Sequence, residues 1–168
     1  MRILDLILYL FFLFFFFMPL KGKASLINFT PDQPEYIEKF TNEIIQATNL
    51  SLNTEKVRFF INIAYKRLQE AVNMSGDYNY AYLGELVKAY QNCLALSINI
   101  YNNKIEVKGE REEILSLLEK CLFKSIVDLT YLLRNSPKEY RETVQRSLDY
   151  TLSQKNKVEK IMKKLKEK

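Results

Sequence analysis

Apolar residues recur every three to four positions along most of this chain, and the breaks between such stretches are short. That period marks amphipathic helices. It predicts a first helix over residues 34–48, with Ile37, Phe40, Ile44 and Ile45 on one side, Pro34 in the first turn and Asp32 as cap. A second, over 54–73, turns Val57, Phe60, Ile61, Ala64, Leu68, Ala71 and Val72 inward, and Ser75-Gly76-Asp77 ends it, with Gly76 as the left-handed stop. A third, over 77–101, buries Leu83, Leu86, Val87, Tyr90, Cys93, Leu94 and Tyr101. After a loop over 102–109, a fourth helix over 110–133 opens with Glu110, Glu112 and Glu113, which suit the positive end of the helix dipole. Its inward face is Ile114, Leu118, Cys121, Leu122, Leu129 and Leu132. The last helix starts at Ser136-Pro137-Lys138-Glu139, which combines an N-cap serine, proline at the first position and glutamate at the third. It runs to Lys166, a length of roughly 45 Å, so its final turns are expected to overhang the body or fray.

Short connections favour antiparallel neighbours, so the expected fold class is all-α, an up-and-down bundle of four to five helices. Residues 99–107 are the one stretch that tempts as a strand, and it is isolated. The Gly76-Asp77-Tyr78 turn with Ala81 after it is similar to the turn of a tetratricopeptide unit, but only one such turn is present and solenoids need about three stacked units.

The first 24 residues break the pattern. Arg2 precedes the apolar run Leu6–Phe17, Pro19 interrupts it, and Gly22 and Ala24 supply the small side chains of a peptidase site. This is the layout of a secretory signal peptide, with cleavage expected after Ala24. Asp5, Lys21 and Lys23 oppose that reading, and residues 3–20 just reach the length of a retained membrane anchor. Export, to a periplasmic or extracellular location, is the expectation.

Composition then narrows the function. Of 168 residues 48% are apolar and only eight are Gly or Pro, which excludes collagen-like and disordered classes. The formal charge is +5, but residues 1–24 hold three bases and one acid, and residues 154–168 hold seven lysines and two glutamates. Residues 25–153 therefore carry 15 bases against 17 acids. The body is not expected to bind nucleic acid. The basic segment also has an apolar stripe, Val158, Ile161, Met162 and Leu165. Lys155, Lys157, Lys160, Lys163 and Lys164 are thus candidate contacts to an anionic membrane surface or acidic partner, or simply the solvated side of a packed helix.

Candidate chemistry is sparse. Zero histidines remove imidazole ligands, His-based nucleophile couples and imidazole pH switches. Cys93 and Cys121 lie on inward faces of consecutive helices, at depths of roughly 12 and 16 Å from the connecting loop. They are candidates for a disulfide in an oxidising compartment, or for two buried thiols. Glu110, Glu112, Glu113, Glu139 and Glu142 read as solvated helix-surface acids rather than a metal or acid–base set. Tyr78, Tyr80 and Tyr82 alternate beside Gly76, with Tyr36, Tyr65 and Tyr90 elsewhere, and form a candidate partner surface or a packed bundle end. No cofactor, metal or enzymatic activity is expected.

Pro31, Pro34, Tyr36 and Lys39 form an entry motif, followed by Leu50-Ser51-Leu52-Asn53-Thr54-Glu55-Lys56 and Arg58, and then by Ala64, Arg67, Leu68, Glu70 and Ala71. With these motifs, residues 31–96 resemble a bacterial exported-protein helical domain of unknown function. The resemblance implies an extracytoplasmic helical module and transfers no functional residues. Arg67 and Glu70 read as a local surface ion pair. The expected function is an exported, non-catalytic bundle that binds a protein or envelope component. The alternatives are an extracytoplasmic chaperone or stress-sensor-like protein, a tetratricopeptide-like hairpin adaptor and, weakest, a metal-responsive or hydrolytic protein.

Overall fold

A computed structural model describes residues 33–78 and 80–167 of the chain. The leader, the Asp32 cap and Pro31 before it lie outside the described residues, as do the side chains of Ile37 and Phe40. The chain divides into two compact units, Met1–Thr41 and Asn42–Lys168. Five helices are present and no strand is found among the described residues: α1 Gln33–Asn49, α2 Asn53–Gly76, α3 Leu83–Lys104, α4 Lys108–Asn135 and α5 Lys138–Lys166. The fold is an all-α bundle.

Within the second unit the main packing partners are α2 with α3, α4 with α5, α2 with α4, and α3 with α5. Two hairpins therefore lie side by side. Arg58 meets Glu113 near the starts of α2 and α4, and Gln69 meets Asp128 near their ends, so these two helices run parallel. Gly84 faces the Tyr140 ring and Ser147 bonds Gln91, so α3 and α5 also run parallel. The consecutive helices α3 and α4 are not among the main pairs, so the short connection between them departs from the tendency of short loops to join close neighbours.

Periodicity located the core well. Val57, Ile61, Ala64, Leu68 and Ala71 of α2, Leu83, Leu86, Val87, Tyr90, Leu94 and Tyr101 of α3, and Ile114, Leu118, Cys121, Leu122, Leu129 and Leu132 of α4 are all buried. At roughly 1.5–3 kcal/mol per large apolar side chain, this burial is the main force holding the hairpins together. α5 contributes differently. Its inward face includes Ser147, Thr151 and Gln154, and Thr151 Oγ1 lies 2.9 Å from the Tyr90 hydroxyl while its own hydroxyl also reaches the Ser147 carbonyl at 2.7 Å. The buried hydroxyls of Tyr90, Thr151 and Ser147 are thereby satisfied between α3 and α5.

Five sequence expectations are corrected. α3 starts at Leu83, six residues late, because Tyr80 and Tyr82 pack against the core as turn residues and the Leu83 N–H bonds back to the Tyr80 carbonyl at 3.1 Å. Gly76 is the last helical residue of α2 rather than its left-handed stop; the positive φ, 56°, falls on Tyr78. Ser136 is not an N-cap: α4 extends to Asn135, the Ser136 N–H bonds the Leu132 carbonyl at 2.8 Å, and its hydroxyl is buried without a partner. The end of α5 does not overhang, since Val158 is buried and Ile161, Met162 and Leu165 pack on the core. On α1, Ile45 is half exposed rather than inward.

Candidate functional site

The basic segment's apolar stripe is consumed by the bundle, so Lys157, Lys160, Lys163 and Lys164 are left as the exposed side of a packed helix. Lys155 is half-buried and pairs with Glu159 one turn on. A shallow depression beside them is lined by Asp149, Leu152, Ser153, Asn156, Lys157 and Lys160, all from α5 alone. One helix face without a second wall does not enclose a ligand.

Cys93 and Cys121 are free thiols in this structure. Their helices sit across the bundle from each other, and their surroundings differ: Cys93 feels Arg67 and Glu43, whereas Cys121 lies 3.9 Å from the Ser125 hydroxyl. Burial pushes both thiols up to about 11. At neutral pH both are protonated, which leaves them poor nucleophiles and poor metal ligands.

The tyrosines divide. Tyr80 stacks on Tyr140, ring centroids 6.4 Å apart, and its hydroxyl donates to the Asn135 carbonyl at 3.2 Å; Tyr82 is half-buried against the core. Tyr78 alone of the three is presented, 85% exposed and in the left-handed region. A β-carbon in that region costs about 1–2 kcal/mol, which glycine would avoid. Two of the candidate contacts are therefore structural, and one projects from the α2–α3 turn.

Arg67 is not the surface residue that its place beside Glu70 suggests. It is only 1% exposed, among the largest fully buried side chains of the bundle. Its guanidinium pairs with the buried Glu43 carboxylate of α1 and, at 2.7 Å, with Glu70. Lys66 reaches the other Glu43 oxygen at 2.8 Å. A buried charge is tolerable only when paired and hydrogen-bonded, and here two carboxylates supply that. The cluster ties the end of α1 to α2; all its charges are mutually satisfied, so it offers nothing to a substrate.

A further exposed apolar surface stands on α4. Phe123, Val127 and Tyr131 are 61%, 57% and 42% exposed, and their spacing of four puts them in one row on the outer face. Between Lys120 and Arg134 the helix also exposes Lys124, and its one acid, Asp128, is turned toward α2, where it accepts a 2.6 Å bond from Gln69. Lys120 and Arg134 make no ion pair among the described residues, and Lys124 lies 5.5 Å over the Tyr65 ring. Half-burial raises Asp128 above the usual carboxylate range. The row was hidden because α4 is apolar on both faces, so assigning Ile114 to Leu132 inward left three large residues unaccounted for. Tallying unassigned Phe, Val and Tyr against the core stripe would have found them.

Among the described residues no group of three or more Cys, Asp or Glu side chains gathers to hold a metal ion, and no helix is long and apolar enough to cross a membrane. No family model, curated protein or solved structure matches this chain.

Proposed function

We propose that this chain is an exported, non-catalytic helical-bundle module that binds a protein or an envelope component. The row Phe123-Val127-Tyr131 carries the reading, because these three residues contribute large apolar side chains to water beside a core that is complete without them. Tyr78, held exposed in a conformation better suited to glycine, adds a second presented aromatic. The leader-like residues 1–24 support export, and the absence of histidine together with protonated buried thiols supports a role without bond-making chemistry.

The test is retention of the mature chain, residues 25–168, on envelope fractions of its own host, compared with a Phe123→Ser/Val127→Ser/Tyr131→Ser variant of matched helicity. Loss of retention in the variant is expected; equal retention, or turnover of a substrate by the purified chain, contradicts the reading. A helical-hairpin adaptor is a second form of the same idea. It is favoured by the parallel pairing of α2 with α4 and of α3 with α5, which is how successive helical hairpins stack in repeat proteins. A chaperone role separates from both on suppression of client aggregation at low stoichiometry.

A further inference from the structure

We infer that the outer row of α4 is a docking ridge for an acidic amphipathic helix of a partner protein, resting on the binding-module reading above. Residues at i, i+4 and i+8 form the type of ridge that seats in the groove of a facing helix, and Phe123, Val127 and Tyr131 occupy those places. The stretch from Lys120 to Arg134 is about 21 Å long, enough to lie against four turns of a partner helix.

Charge selects the occupant. Lys120, Lys124 and Arg134 flank the row, and the one acid in that stretch, Asp128, is turned away to Gln69; Glu119, just ahead, is half-buried. A second copy of this chain fits badly. An antiparallel pairing centred on Val127 sets Lys120 opposite the partner's Arg134, and a parallel pairing sets each cation beside itself. Like charges juxtaposed across an interface cost several kcal/mol. A flat anionic bilayer also fits less well. Laid along α4 it would meet the exposed Glu112 and Glu113 at the start of the helix as well as the cations, whereas a rod confined to residues 120–134 lies beside Lys120, Lys124 and Arg134 and clear of those two glutamates. Carboxylates of Asp or Glu on either side of an apolar stripe would pair with Lys120, Lys124 and Arg134 while the stripe covers the Phe123, Val127 and Tyr131 side chains.

The ridge is tested with a photo-crosslinking residue placed at Val127 in the full chain produced in its own host, and a control at Glu85 on the exposed side of α3. The crosslinked peptide is read by mass spectrometry. The expected result is a position-127 adduct to a segment with apolar residues at three-to-four spacing flanked by Asp or Glu. Its yield should fall about tenfold or more in a Lys120→Glu/Arg134→Glu variant of unchanged helicity. An adduct to another copy of this chain, to lipid, or to a segment without that acidic pattern overturns the ridge assignment, as does a yield indifferent to charge reversal. Adducts at position 85 but not 127 overturn the ridge and leave the binding-module reading standing; no adduct at either position overturns both.

Discussion

Tyr78 takes a backbone conformation in which a β-carbon is penalised, yet it is 85% exposed. Tyr78→Gly is therefore expected to stabilise the fold by about 0.5–1 kcal/mol, relief of strain less the extra unfolded-state freedom of glycine, seen as a higher urea midpoint at constant slope. Ser136 gives the opposite lesson about local motifs. Its hydroxyl is sealed in the bundle without a partner, so Ser136→Ala should leave stability within about 0.5 kcal/mol of the parent, whereas loss of a working N-cap would cost about 1 kcal/mol. The thiols give a pH signature. In the unfolded chain they ionise from about 9, but burial in the fold holds them protonated to about 11, so the unfolded state releases protons first and stability falls as pH rises through that window. Each shift corresponds to about 2–3 kcal/mol at its upper end. Urea titrations under reducing conditions at pH 8 and pH 10.5 should show a steeper loss for the parent than for Cys93→Ala/Cys121→Ala.

At the scale of the helices, what could be read in advance was whatever depends on spacing alone. Leu68, Leu94 and Leu129 declare themselves because an apolar residue on a repeating stripe has few other places to go, and all three are fully buried. Arg67 could not be read that way. A charged residue beside Glu70 on a helix looks like surface until a third group, Glu43 of α1, arrives from 24 residues earlier and makes burial tolerable. The outer row of α4 was equally illegible, since a helix apolar on two faces gives no single direction to its stripe. The Glu43–Arg67 tie can be measured. Glu43→Ala should cost about 2–4 kcal/mol, because it removes one of the carboxylates that the buried Arg67 guanidinium pairs with. Adding Arg67→Met should recover part of that loss, so that the double-mutant cycle shows a coupling of at least about 1 kcal/mol. A purely additive result would mean that the pair does not hold α1 to α2.

Across the described residues of the molecule, the all-helical character followed from the sequence, while the arrangement of the helices did not, because which neighbour a helix chooses depends on complementary faces rather than on loop length. The α2–α3 and α4–α5 hairpins lie with like helices parallel, joined along one seam by Arg58–Glu113 and Gln69–Asp128 and along the other by Tyr90, Thr151, Ser147 and Gln91. α4 is thereby left with Phe123, Val127 and Tyr131 exposed on its outer face. A role for that face in an envelope requires that the bundle be delivered there. The most direct check is protease accessibility of the chain in intact cells stripped of their outer layers, with an internal cytosolic protein as control. Digestion of the bundle before lysis, while the control survives, is the expected result. Protection of the bundle until the cells are lysed, with the chain still beginning at Met1, would contradict the account.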